Sequence, residues 1–344
     1  MRQSAGAFFE ELRGTWAQAA RAAGSIEIRR YRVAGNQLEL RFAGDALVEP
    51  LARGLEHLDR GDDNARGLVV RLWDRESTGV SMPRPPWDME AYGSRGKIDG
   101  FFDERIQSVF QHGSQSLVMV DLERSEALYW TASPEQVPPF EMAAPLQTAL
   151  QPWLGEHGAE LIHAAAVATD VGCGLLVGKA GSGKSWTTLA SIEAGLKLVS
   201  DDYCVLAAGM PPRISSLYNG AKAFPGALER LPAFAGMVSN PVRQSYDKAV
   251  LFIHEHAPEA MLLEADLRAI LIPRVAGQPR TTWRPASSAA ALAALAPSTI
   301  LQLPGAGART LERLAEVARE VPSFRVDLGT DLDEVGQAIA TLLG

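Results

Sequence analysis

The chain has 344 residues, with 33 Lys and Arg against 41 Asp and Glu, a formal net charge of −8 at pH 7, and 47% hydrophobic against 22% charged residues. That length exceeds an ordinary single domain, and the composition suits a globular chain with two cores. The acidic balance argues against nucleic acid or an anionic membrane surface as the main partner, so local basic groups must handle any anionic ligand. The two cysteines, Cys173 and Cys204, both fall in apolar runs, which reads as buried reduced thiols and a cytoplasmic setting. The first residues lack the sustained apolar core of a signal peptide, and no run of about eighteen apolar residues occurs, so no membrane span is expected.

In chain order, residues 5–22 have the spacing of an amphipathic helix. Two alternating runs at 25–33 and 37–42, with Gly35-Asn36 between them, predict a hairpin. A helical stretch over 45–58 and a strand over 67–73 follow. Residues 77–100, with Pro83, Pro85, Pro86 and several glycines, read as a long loop or flap without regular structure. Strands at 117–122 and 127–131 precede the break at Val137-Pro-Pro. Residues 1–135 thus read as a smaller α+β domain, with a substrate-binding or regulatory role and no catalytic motif.

The remainder, 136–344, alternates helix and strand and reads as an α/β domain. A helix over 143–155 leads to a strand over 160–168 that carries His163. The apolar run from Cys173 to Val177 then enters Gly178-Lys-Ala-Gly-Ser-Gly-Lys-Ser185, a G-x-x-x-x-G-K-S phosphate loop, and a helix opens at Lys184 and runs to Gly195. In such a loop the backbone N–H groups face phosphate oxygens, the lysine reaches the β/γ-phosphates, the serine ligates Mg²⁺, and the helix dipole favours the same anion. Gly178, Lys179, Ala180, Gly181, Ser182, Gly183, Lys184 and Ser185, with Trp186 after them, are therefore assigned to a nucleotide, expected to be ATP with Mg²⁺.

The next strand, in 196–206, ends in Asp201 and Asp202, at the strand end where an α/β sheet presents groups to a ligand. One carboxylate can hold the metal or its water while the other takes a proton from an attacking hydroxyl. A strand at 213–218 leads to Asn219-Gly-Ala-Lys222. Lys222, Arg243 and Lys248 are second-rank candidates for binding phosphate or substrate, because each also reads as a surface charge. A strand at 267–273, helices at 286–294 and 310–320, a strand at 324–328 and a helix at 332–343 complete the chain. The alanine run at 289–296 needs no reason beyond helix propensity.

The order His163-Ala-Ala-Ala, strand, phosphate loop, helix, Ala-Gly-Leu, then Leu-Val-Ser-Asp-Asp-Tyr203 resembles the catalytic core of HPr kinase/phosphorylase, which shares its fold with phosphoenolpyruvate carboxykinase. Over residues 161–206, His163, Lys184, Ser185, Asp201 and Asp202 match that family's functional positions one by one. In length and layout the chain is similar to two-domain HPr-kinase-like proteins that phosphorylate a serine of a ribosomally made peptide, as in lasso-peptide clusters. A histidine on an apolar strand reads by itself as a packed core residue. The resemblance instead places His163 beside the nucleotide and the carboxylates, with two roles open: polarising a phosphate or hydrogen-bonding Asp202.

The resemblance implies Ser185 and Asp201 on Mg²⁺, Asp202 as general base, Lys184 on the transferred group, and a serine of a peptide or small protein as acceptor. Bifunctional members carry a Glu-Ile-Arg-Gly-Leu-Gly-like signature after the aspartates. Here the nearest string, Glu264-Ala-Asp-Leu-Arg268, matches poorly at a different distance, so a kinase without phosphorolysis of HPr is expected. A kinase for a small hydroxylated metabolite and a nucleotide-gated regulatory ATPase are the rival readings. Bifunctional members assemble as hexamers, and an oligomer is open for this chain.

Overall fold

The computed structural model describes residues 3–62, 66–207, 209, 211–240 and 248–344. Two compact units are present: one takes the chain up to Arg53, Asp59–His157 and Leu303–Gly305, the other Gly54–Leu58, Gly158–Gln302 and Ala306–Gly344. The first unit therefore runs past residue 135, as far as His157.

In the first unit α1 (Ala5–Ala23) begins where the Ser4 hydroxyl accepts the Ala7 N–H at 3.3 Å and ends at Gly24, whose φ of 76° a side chain would resist. Its buried Phe8, Phe9, Leu12 and Trp16 form one stripe. β1 (Ile26–Val33) and β2 (Asn36–Ala43) form the expected hairpin. The helix expected over 45–58 is only α2 (Val48–Ala52) with a following 3₁₀ turn. Pro50 fits a helix only in its first turn, and Gly54 weakens its continuation.

β3 (Gly67–Asp74) is followed by α3 (Arg75–Thr78), started by Asp74 accepting the Ser77 N–H. The stretch 77–100 is less broken than its prolines suggest, because β4 (Lys97–Phe102) already begins inside it. β5 (Ile106–Gln111), unforeseen from its mixed pattern, β6 (Ser116–Asp121) and β7 (Glu126–Thr131) complete the sheet β1-β2-β3-β7-β6-β5-β4. The α1 stripe packs on its Trp73, Leu117, Met119, Leu128 and Trp130. The helix expected over 143–155 is two, α4 (Pro139–Ala143) and α5 (Gln147–Glu156). Pro145 and the left-handed Leu146, φ 60°, part them.

In the second unit β8 (Glu160–Ile162), β9 (Ala165–Thr169) and β10 (Gly172–Leu176) lead to α6 (Lys184–Glu193), then β11 (Lys197–Ser200), β12 (Cys204–Ala207) and β13 (Arg213–Ser215). β14 (Gly220–Ala223), α7 (Pro225–Leu228), β15 (Ala249–Phe252) and α8 (Ile253–His256) follow; β14 and β15 pair as a small separate sheet. β16 (Glu264–Val275) is longer than the expected 267–273, and β17 (Thr282–Ala286) takes the start of the expected helix 286–294, which becomes α9 (Ser288–Gln302). α10 (Ala308–Glu320), β18 (Ser323–Leu328) and α11 (Leu332–Leu343) end the chain. This is an α/β fold.

Strands β11-β9-β10-β16 are neighbours, and β18 pairs with β16. β10, β16 and β18 run parallel. One face of the sheet packs on α6 and α11 through Val167, Leu176, Leu189, Leu271, Val335 and Ile339. The other packs on α9 and α10 through Leu175, Ile270, Leu295, Leu314 and both free cysteines. Burying each such side chain contributes roughly 1.5–3 kcal/mol, which fixes the strand ends that carry the site. Among the described residues no helix is long and apolar enough to cross a membrane.

Candidate active site

β10 is locked to β16 beyond its last residue, where the Val177 N–H donates to Leu271 O at 2.9 Å. The loop then turns through Gly178 at φ 144° and Gly183 at φ 104°, both in the region that favours glycine. A Cβ on Gly178 would lie 2.8 Å from Ser182 Oγ, and one on Gly183 would lie 2.4 Å from Leu328 Cδ1. The cradle therefore closes only with glycine at these places. Ser182 Oγ is buried with no hydrogen-bond partner, as a polar atom reserved for a ligand would be.

Gly183 caps α6, whose first residue is Lys184. Lys184 is 8% exposed and its Nζ donates to Gly178 O at 2.6 Å, folded back over the loop. Burial pulls this ammonium below its ordinary range, against the opposing effect of Asp202 and then Asp201. Ser185 and Trp186 are half-buried, and Lys179, Ala180 and Gly181 are exposed. The Arg230 guanidinium lies 4.7 Å over the Trp186 ring.

The single strands expected over 160–168 and 196–206 are each broken, and the breaks make the site. β8 pairs with β12, with Cys204 opposite Ile162, whereas β9 pairs with β11, with Ser200 opposite Ala166. The two segments thus stay paired with each other in one antiparallel register, and both open at the same level; only their outer neighbours differ, β13 on β12 and β10 on β9. His163 lies in one break, and Asp201 and Asp202 lie in the other. Asp202 sits at φ 68°, a conformation that aspartate tolerates better than most side chains, and the Tyr203 N–H closes the turn onto Asp201 O at 2.8 Å.

Asp202 Oδ1 is 3.0 Å from His163 Nε2, and Oδ2 is ion-paired with Lys222 Nζ. Burial alone would raise this carboxyl; Lys222 and the bond from His163 outweigh it and hold Asp202 well below the ordinary carboxylate range. Because the ionised Asp202 accepts from Nε2, that nitrogen carries a proton, and Nδ1 is buried without a partner. The Thr299 hydroxyl accepts the His163 N–H at 3.1 Å, and Tyr203 OH donates to Gln302 Oε1 at 3.1 Å while its ring lies 5.0 Å from that of His163.

Asp201 is 1% exposed and differently engaged. Its Oδ1 is 3.3 Å from Thr188 Oγ1 on α6, and its Oδ2 accepts the Lys222 N–H at 3.2 Å. Burial, then the neighbouring Asp202, pushes its carboxyl up. The expected residues His163, Lys184, Asp201 and Asp202 therefore converge. Lys222, ranked second in the sequence as a surface charge, is 9% exposed and central to the cluster. Lys248 is exposed, with Nζ 5.2 Å over the Phe224 ring, and acts on Asp201 and Lys184 only through its charge. Arg243 lies outside the described residues. Thr188, Tyr203, Thr299 and Gln302 were missed. Of these only Thr188 had a signal, its place one helical turn after Lys184 on the loop-facing side.

No cluster of three or more His, Cys, Asp or Glu suited to a metal occurs among the described residues. Mg²⁺ needs none, since it binds through one or two protein oxygens and fills its octahedron with water and phosphate oxygens. Ser185 in the first turn of α6 and Asp201, bonded to Thr188 of the same helix, are oxygen donors of the kind that so sparse a set uses.

No protein-family model matches the chain, and no curated protein matches it. Among solved structures it is similar to the HPr(Ser) kinase/phosphatase from Coxiella burnetii, with a TM-score of 0.32 and 13% identity over 53% of this chain and 95% of that one. A likeness this distant says nothing about activity.

Proposed function

We propose that the second unit is an ATP-dependent kinase that transfers the γ-phosphoryl group to a hydroxyl, and that the acceptor is a serine of a peptide or small protein. One observation carries the transfer reading: an ionised, half-buried Asp202, oriented by His163, stands beside the lysine of a phosphate loop. The loop amides and Lys184 receive the phosphates. Ser185 and Asp201 would hold Mg²⁺, which when bound neutralises charge that develops on the phosphates. Asp202 accepts the proton of the acceptor hydroxyl, and the His163 bond keeps it oriented for in-line attack. A strongly depressed carboxyl is a weak base, yet a loose phosphoryl transition state asks for positioning more than for basicity. The serine acceptor rests on the sequence resemblance and on the likeness in length and layout, and the absence of phosphorolysis on the missing Glu-Ile-Arg-Gly-Leu-Gly-like signature.

The test is ADP release from Mg·ATP with and without serine-bearing precursor peptides, together with the peptide mass. Acceptor-dependent ADP release with gain of one phosphoryl group on serine is expected. Release that needs a small hydroxylated metabolite instead would move the acceptor class. Release indifferent to any acceptor would replace the kinase by a nucleotide-gated ATPase.

A further inference from the structure

Asp202 lies between two lysines. Lys222 Nζ is paired with its Oδ2, and Asp202 is also the strongest charge acting on Lys184. Lys222 is held in place from both ends: its N–H donates to Asp201 Oδ2 at 3.2 Å, and its strand β14 pairs along its length with β15, with Lys222 opposite Val250. A lysine buried to this degree is retained only with a counter-charge, and here the counter-charge is the proposed base.

The charges of the cluster balance, Lys184 and Lys222 against Asp201 and Asp202. A terminal phosphate arriving at Lys184 comes next to Asp202 as well, and two anions in a buried site repel unless a cation moves between them. Lys222 is the cation in contact with Asp202, and its four-carbon stem permits that movement.

We propose that Lys222 is a second catalytic cation for the transferred phosphoryl group, and that its pairing with Asp202 is a resting lock which the terminal phosphate opens. The phosphate draws Nζ away from Oδ2, and that oxygen becomes free for the acceptor hydroxyl while His163 keeps Oδ1. In the transfer the acceptor oxygen bonds to the γ-phosphorus, and the bond from that phosphorus to the bridging oxygen breaks. ADP leaves with the electron pair, and the acceptor proton passes to Asp202. Lys222 changes only its charge partner. With no terminal phosphate in place the base stays paired with Lys222. This inference rests on the nucleotide reading above.

Calorimetry with Mg²⁺ and either ADP or ADP plus beryllium fluoride, a mimic of the terminal phosphate, separates the two. The native protein is expected to prefer the fluoride complex, with Lys222 supplying on the order of tenfold of that preference, as one charge-assisted contact can provide. Lys222→Met should keep ADP affinity within about threefold and lower the preference by that factor, and Lys222→Arg should retain most of it. Because Lys222→Met strands Asp202, the pair Lys222→Met with Asp202→Asn removes both charges at once and should give the same result if the single variant does not fold. A preference undiminished in either Met-containing protein overturns the role of Lys222 and leaves nucleotide binding standing. If the native protein binds neither ligand, the nucleotide reading falls, and the lock falls with it.

Discussion

Asp201 and Asp202 are adjacent in sequence and sit in opposite electrostatic surroundings. Asp201 accepts from Thr188 and from the Lys222 backbone, linking the phosphate-loop helix to β14, while burial pushes its carboxyl up. Asp202 faces Lys222 and His163 and is held ionised. Asparagine at 201 can accept the Lys222 N–H with its oxygen and donate its NH₂ to the Thr188 hydroxyl, which itself donates to Lys184 O at 3.0 Å. Asp201→Asn should therefore change stability by less than about 1 kcal/mol and weaken Mg²⁺-dependent nucleotide binding. Asp202→Asn should keep nucleotide binding and lose transfer on the order of a hundredfold or more. Denaturant unfolding, titration with a non-hydrolysable ATP analogue and turnover read these three quantities. Equal loss of binding in both variants would mean that the two carboxylates share one role.

At the scale of elements, the site exists because two strands break where a reading by periodicity keeps them whole. The phosphate loop, its flanking strand and helix, the β1–β2 hairpin and the α1 stripe were legible, since each depends on local spacing or on a motif with one geometry. The breaks at His163 and at Asp201-Asp202 were not. An apolar run such as 160–168 carries no mark of the gap in its pairing with 197–206, nor of β10 pairing with β9 beyond that gap, which are properties of the sheet. Lys222 was misjudged for a related reason, because its burial comes from the β14–β15 pairing across residues far apart in sequence.

Helix α9 holds both breaks, the first through Thr299 on the His163 N–H and the second through Gln302 on Tyr203. Thr299 is fully buried. Thr299→Val keeps the shape and removes the acceptor, so it should cost about 1–3 kcal/mol of stability and lower kcat more than it changes KM. Thr299→Ser retains the hydroxyl and should stay near native. If Val and Ser behave alike, α9 does not position His163 through this bond.

At the scale of the molecule, the chain visits the second unit early. Gly54–Leu58 belongs to that unit although the residues on both sides of it belong to the first. The segment brings His57, buried, with Nε2 2.7 Å from Ser216 Oγ. Burial, and then the neighbouring His254, pushes His57 down to about 3 from an ordinary value of 6.5. The folded protein therefore keeps His57 neutral, whereas the unfolded chain protonates it below pH 6.5. Between about 6.5 and about 3 the unfolded state binds more protons, so stability rises with pH across that window and is lost as pH falls through it. By pH 5 this one group should withdraw about 2 kcal/mol. Carboxylates contribute their own losses in acid, so the informative comparison is with His57→Gln, which can still bond Ser216 and does not titrate. Between pH 7 and pH 5 the native protein should lose several degrees more of Tm than the variant, at about 2–4 °C per kcal/mol. Parallel declines would show that His57 is protonated in the folded state or exposed by local opening, and that the early segment leaves the second unit before the rest of it unfolds.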